Sequence, residues 1–176
     1  DIITPGLSLD RLWVHSSLTA RLSKEIATSL GAPPNIQEDA FLAGMLHDVG
    51  KLLLLDHPRY YKKLLQTISD ESEQTFTAAE YKLFNTSHAE IGAYLLGLWG
   101  LPDPVVEAVA CHHRPSLLQF ECSPVLMGTC IANALLTSIV EEKSHIDPDI
   151  LKNEAIGKLL PQWRQRAETL HKESVK

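Results

Sequence analysis

The sequence predicts an all-α fold, and three observations carry that prediction. Apolar residues recur at helical spacing in successive segments, and these segments are bracketed by capping and terminating residues. No stretch alternates apolar and polar residues in the manner of a half-buried strand. With 176 residues, 44% of them apolar and 22% charged, the chain is long enough for one domain with its own core.

Ser8 is expected to cap a first helix running to about Leu30, with Gly31 as its left-handed terminator. Its apolar stripe is Leu9, Leu12, Leu18, Leu22, Ile26 and Leu30. Ala32-Pro33-Pro34 then breaks the chain, and Asn35 with Glu38 has the form of a capping box. The second helix should carry Ala40 through Val49, apolar nearly all round and therefore central and buried. Pro58 opens the next helix, Ser69 to Gln74 form a polar loop, and Thr77 with Glu80 open a short helix. Ser87 and Glu90 make another capping box, leading into Ile91 to Trp99 and stopped by Gly100. Asp103 reads as a cap and Pro104 as the first residue of a helix ending at His112-His113-Arg114-Pro115. Ser123-Pro124 and Asp147-Pro148 open later helices by the same device, and no internal repeat is found.

Charge and cysteine usage narrow the function classes. The net charge is −6, the pI is about 5.7, and Lys and Arg are scattered. No basic stripe is available to neutralise a phosphate backbone, so duplex nucleic acid is not an expected partner. A small anion held at a metal stays compatible with this charge, because the metal supplies local positive charge. Cys111, Cys122 and Cys130 are odd in number and form no CxxC pair, which points to reduced thiols and a cytoplasmic setting. No apolar run approaches the roughly 18 residues of a membrane span, and no signal-peptide pattern is present, so no membrane association is expected. The chain opens at Asp1 and enters a helix almost at once. It therefore reads as a single helical domain, residues 1–176, cut from a larger protein.

The chemistry concentrates on histidines and one aspartate. Asp48 sits in the most apolar predicted helix, where a carboxylate is costly to bury unless paired or metal-bound. His47 adjoins it, and Lys51 follows one turn later on the Asp48 side. His15 lies beside the stripe of the first helix, where a histidine bonded to a carbonyl is the ordinary alternative. His88 opens a helix and could simply be solvated there. His112 and His113 close another helix, where one positive side chain would suit the dipole but two are harder to explain so. His57, His145 and His171 lie in polar contexts and take no role. Five imidazoles and a carboxylate spread over four helices suit a metal site inside a bundle, with Fe, Mn or Zn favoured over Mg or Ca. Two such ions sharing Asp48 would act on a phosphorus centre, with Lys51 holding a phosphate oxygen.

These residues resemble a known family. Phe41-Leu42-Ala43-Gly44-Met45-Leu46-His47-Asp48-Val49-Gly50-Lys51 is similar to the central motif of the HD superfamily. Leu12-Trp13-Val14-His15-Ser16 and His88-Ala89-Glu90-Ile91-Gly92-Ala93-Tyr94-Leu95-Leu96 resemble the HDOD branch of bacterial signalling proteins. Trp99-Gly100-Leu101-Pro102 and Glu107-Ala108-Val109 with His112-His113-Arg114-Pro115 complete the pattern, which spans about Leu9 to Ala134. Weaker similarity continues to Pro161-Gln162-Trp163-Arg164. The resemblance implies an HD-superfamily helical bundle and a metal set of His15, His47, Asp48, His88, His112, His113 and Asn133, with Asp48 and Lys51 as the catalytic pair. It also implies a larger parent with a receiver domain or other signalling partner attached. The further helical bundle with which HDOD domains usually begin, opened by a Leu-Pro-rich motif, is absent from this sequence.

Two departures bear on activity. HD phosphohydrolases end their ligand set with an aspartate, whereas Cys130-Ile131-Ala132-Asn133-Ala134-Leu135 places Asn133 there, as HDOD proteins commonly do. A neutral amide oxygen is a poorer ligand and no general base. The related HD-GYP enzymes, which hydrolyse cyclic di-GMP, follow the paired histidines with an acidic and Gly-Tyr-Pro segment. This chain reads Arg114-Pro115-Ser116-Leu117-Leu118, and Arg11 lies where their upstream glutamate would be sought. The expectation is a regulatory signal-transduction output domain on an HD-type, metal-binding scaffold. The alternative is a metal-dependent phosphohydrolase acting on a nucleotide or cyclic dinucleotide, and the sequence leaves enzymatic activity open.

Overall fold

The computed structural model describes residues 8–55, 59, 62–64, 66, 76–114, 123–141, 146, 150 and 152–174. Among these the regular structure is helical throughout, in the order α1 (Leu9–Ser29), α2 (Pro34–Leu46), α3 (Lys51–Leu55), α4 (Phe76–Phe84), α5 (His88–Leu98), α6 (Asp103–Cys111), α7 (Pro124–Glu141) and α8 (Glu154–Ser174). The helix-opening Pro58, the polar loop Ser69 to Gln74 and the Asp147-Pro148 break lie outside the described residues.

Helices α1, α2 and α7 pack on one another as the central group. Leu22 and Ile26 of α1 meet Leu126 and Ile131 of α7 in a core from which water is excluded. The approach is close because small residues line it: a Cβ on Gly44 would stand 2.7 Å from Ser23 Oγ, and one on Gly128 would stand 2.7 Å from the Ser23 carbonyl oxygen. Helix α6 leans on α2 and α7, α5 on α6, and α3 on α5. Helix α8 closes the other side through Ile156, Trp163, Ala167 and Leu170, spaced at 7, 4 and 3 residues to make one face. Arg166 fastens it to α1 with a two-pronged pair of bonds to Glu25, at 2.8 and 2.9 Å.

Helix α7 is long and apolar enough to cross a membrane, contrary to the expectation that no run came near that length. In this fold it is the wall of the core, and Val125 through Leu136 are buried without interruption.

Most of the capping signals act as read. Ser8 Oγ accepts from Arg11 N at 3.1 Å, and Gly31 and Gly100 take left-handed φ of 79° and 75°. Ser87 and Glu90 form the reciprocal capping box, and Ser123 Oγ accepts from Leu126 N at 3.2 Å. Asn35 and Glu38 do not cap α2, which begins at Pro34 after an uncapped Pro33. Proline's fixed φ suits the first turn without a donor there, and Glu38 instead pairs with Lys24 at 2.6 Å. Helix α6 likewise begins at Asp103 with Pro104 in its first turn and Pro102 outside it, and Thr77 lies inside α4 rather than capping it. The stripe of α1 is shorter than read: Leu18, Leu22 and Ile26 are buried, while Leu9 is 64% exposed.

Helix α2 stops at Leu46, so His47 and Asp48 occupy a turn rather than the middle of an apolar helix, contrary to expectation. Bonds from three residues on replace the helical ladder: Val49 N donates to Leu46 O, Lys51 N to Asp48 O and Leu53 N to Gly50 O. The turn is required because α5 crosses it. A Cβ on Gly50 would meet the His88 carbonyl oxygen at 2.0 Å, closer than any side chain can stand. Gly50→Ala is therefore expected to push α5 outward and to destabilise the fold by about 1–3 kcal/mol. A lowered urea midpoint with an unchanged slope checks this, and an unaltered midpoint would refute it.

Candidate metal centre

Asp48 is buried at the meeting point of four elements, and its two oxygens face different partners. Oδ1 lies 3.2 Å from His88 Nε2 and 3.8 Å from His112 Nε2. Oδ2 lies 3.4 Å from His47 Nε2, 4.0 Å from His15 Nε2 and 2.6 Å from Lys51 Nζ. His113 Nε2 stands 3.0 Å from His88 Nε2, and His15 Nε2 stands 3.2 Å from His47 Nε2 and 3.0 Å from Asn133 Oδ1. The seven residues expected to form the metal set thus converge, with Lys51 beside them. His171 takes no part in the cluster, and His57 and His145 lie outside the described residues.

The backbone decides which ring nitrogen faces the centre. His47 Nδ1 donates to the Gly44 carbonyl at 2.8 Å, and His112 Nδ1 donates to the Val109 carbonyl at 2.8 Å. Each histidine follows the end of its helix and reaches back to a carbonyl left free three residues earlier. With the proton held on Nδ1, the neutral ring presents the Nε2 lone pair inward.

His88 is set by a side chain that the sequence reading treated only as a helix start. Glu80 is buried, and its Oε2 accepts from His88 Nδ1 at 2.7 Å and from His88 N at 3.1 Å. Helix α4 is held in place by Tyr81, whose hydroxyl donates to Glu90 Oε1 at 2.6 Å, and by Arg114 stacked 5.0 Å over the Tyr81 ring. A buried glutamate eight residues before a histidine has no helical periodicity to reveal it. Only the packing of α4 on the start of α5 brings the two together.

Burial pushes His47 down to about 4, with Asp48 opposing and His15 and Lys51 assisting. Desolvation first, and His88 second, push His113 down to about 3; its outer edge is exposed but its inward nitrogen sits among other rings. His15 and His112 are lowered too, chiefly by burial. Burial and Lys51 depress His88, but Asp48 and Glu80 outweigh them and raise it. Desolvation alone would raise Asp48, and the neighbouring His47, Lys51 and His88 more than reverse it, holding the carboxyl well below its ordinary range.

Within the ring of donors, Asp48 Oδ1 and His112 Nε2 are buried with no hydrogen-bond partner. A carboxylate oxygen facing imidazole lone pairs is repulsive by itself, and a cation between them turns that repulsion into coordination. The donors group accordingly. Asp48, His88, His112 and His113 each offer an atom within 4.8 Å of the others, as do His15, His47 and Asp48. Asn133 Oδ1 adds a neutral oxygen beside the second group. The cluster is one that fits a metal ion, on donor type and on the unmatched atoms alike.

An all-helical bundle with inward histidines sharing one aspartate defines the class as HD-type. Within it the chain belongs to the HDOD domain family, which matches residues 4–115. Among curated proteins, an uncharacterised protein of Treponema pallidum is 26% identical over 125 residues, 70% of this chain and 24% of that one. Ribonuclease Y of Opitutus terrae is 32% identical over 100 residues, 57% of this chain and 13% of the relative. The chain thus spans a quarter or less of the length of the curated relatives it matches. Among solved structures, a candidate phosphohydrolase of Shewanella amazonensis superposes with a TM-score of 0.73 at 20% identity, over 95% of this chain and 62% of that one. An HDOD domain protein of unknown function from Geobacter sulfurreducens gives 0.64 at 23%, over 94% and 64%. A candidate signal transduction protein of Marinobacter aquaeolei gives 0.64 at 19%, over 95% and 40%. At these identities the structures establish the shared helical fold.

Two predictions follow from the geometry. Glu80→Gln removes the charge behind His88 and should weaken metal binding by about 10–100-fold with helix content unchanged. Calorimetric titration with Zn(II) checks this, and equal affinity would show Glu80 to be structural only. The second concerns the metal-free protein and acid. The lowered histidines stay neutral when folded, while the unfolded chain protonates them near the ordinary 6.5, so the unfolded state binds more protons. Stability should therefore fall as pH drops from about 6.5 toward the folded value of about 4 for His47. His88, being raised, opposes this with stability present below its unfolded value, as one group against four. Melting temperatures measured between pH 7 and pH 4.5 should decrease, and a flat profile would contradict the argument.

Proposed function

We propose that this chain is a regulatory signal-transduction output domain that retains the HD site as a metal-binding scaffold rather than as a catalyst. The observation that carries the reading is Asn133. Its Oδ1 lies 3.0 Å from His15 Nε2, at the point of the cluster where HD phosphohydrolases present a carboxylate. An amide oxygen adds no negative charge to offset a second cation, and it accepts no proton from an attacking water. The ion is Fe, Mn or Zn, since imidazole with one carboxylate suits these better than the oxygen-seeking Mg or Ca. The domain works within a larger protein, beside a receiver domain or another signalling partner, in the cytoplasm. The much greater length of the curated relatives supports this, as does the signal transduction protein among the structural neighbours.

A second reading is metal-dependent phosphohydrolysis of a nucleotide or cyclic dinucleotide. It is supported by the retention of His15, His47, Asp48, Lys51, His88, His112 and His113 in one cluster, and by a candidate phosphohydrolase among the neighbours. A divalent ion in such a site supplies Lewis acidity toward a phosphoryl oxygen. Asp48 would orient it and Lys51 Nζ, partly exposed at the edge of the cluster, would bind a phosphate oxygen.

Elemental analysis after anaerobic purification tests the metal assignment. Metal should be present in the unaltered chain and in His171→Ala, and absent from Asp48→Ala. Equal content in all three would sink the assignment. Turnover is tested with bis(p-nitrophenyl) phosphate. The regulatory reading expects no turnover by the unaltered chain and a gain on Asn133→Asp. Substantial hydrolysis by the unaltered chain, lost in Asp48→Ala, would favour the second reading.

A further inference from the structure

The two halves of the cluster differ in charge and in how free their donor atoms are. On the Oδ1 side of Asp48 stand His88, His112 and His113. His112 Nε2 and Asp48 Oδ1 are both without hydrogen bonds, His88 Nε2 and His113 Nε2 meet at 3.0 Å, and His88 is backed by the buried Glu80, whose own Oε1 is also unpartnered. That side offers three imidazoles, a shared carboxylate and a second negative charge behind one ring. On the Oδ2 side every donor is already engaged. Lys51 Nζ sits on Oδ2 at 2.6 Å, bringing a positive charge to the oxygen a second ion would need. His15 Nε2 is 3.0 Å from Asn133 Oδ1, a bond that requires a proton on the very atom that would ligate. Asn133 Oδ1 itself also accepts from Thr137 Oγ1 at 3.3 Å.

We infer that this domain binds a single divalent ion, held by Asp48 Oδ1, His88, His112 and His113, while the Lys51 ammonium takes the place of a second ion beside Asp48 Oδ2. The inference rests on the metal-binding reading above and adds where the ion sits and what fills the other half. Charge balance favours the exchange: with Asn133 in place of a carboxylate, the Oδ2 side has one half-share of Asp48 to offset a cation. A monovalent ammonium matches that better than a dication.

Co(II) titration by equilibrium dialysis, followed by its visible absorption, tests this on the chain as described. One equivalent should bind, with any second at least about a hundredfold weaker, the scale at which partners of a ligand set affinity. His113→Ala should weaken the first equivalent, and His15→Ala should leave it. Lys51→Met should strengthen the second by at least about tenfold without moving the first, and Lys51→Met with Asn133→Asp should bind two equivalents. Circular dichroism confirms that each variant is folded. Two equivalents of equal affinity in the unaltered chain would overturn the inference and leave metal binding standing. So would one equivalent that survives His113→Ala but is lost in His15→Ala. A folded chain that binds no Co(II) would overturn the metal-binding reading itself.

Discussion

The structure is organised around the burial of one carboxylate. Asp48 is almost wholly removed from water, and an isolated ionised carboxylate in that position costs on the order of several kcal/mol. His47 and Lys51, on either side of it in the chain, offset part of this. The remainder comes from α1, α5 and the end of α6, each of which aims an imidazole at the same two oxygens. Remove the need to surround Asp48, and there is no evident reason for α5 to cross the α2–α3 turn so closely that its His88 carbonyl excludes any side chain at residue 50.

The second layer of the design is backbone chemistry. A helix leaves its last carbonyls unpaired, and here two of them are put to use: Gly44 and Val109 each accept from the Nδ1 of a histidine three residues on. The same bond that satisfies the helix end selects the tautomer. His88, at the opposite end of its helix, has no such carbonyl and relies on Glu80 from α4 instead. Helix termini and site geometry are therefore one problem in this fold. A change that lengthens α2 by a turn would alter the ring nitrogen that His47 presents.

The cluster is also asymmetric. Donor atoms left open by packing lie on one side of Asp48, while an ammonium and an amide occupy the other. In a binding domain such an arrangement can be as useful as a symmetric one. An ion held there would tie α5 and α6 to the α2–α3 turn, and its affinity would be partly folding energy of that half of the bundle.

The all-α class, the capping box at Ser87 and the identity of all seven cluster residues were legible in the order of amino acids. Apolar spacing and capping are local properties, and a histidine is a potential ligand wherever it stands. What the local reading missed has a common cause. The end of α2 at Leu46 reflects pressure from α5, and Glu80 becomes a histidine partner only through the packing of α4. The long apolar α7 is core rather than membrane because α1, α2 and α6 cover it. By itself the sequence determined which residues could do chemistry and which segments would be helical. Tertiary structure decided which oxygen of Asp48 faces which ring and that Asn133 meets His15. Those are distances between residues up to 118 positions apart, and no periodicity along the chain encodes them.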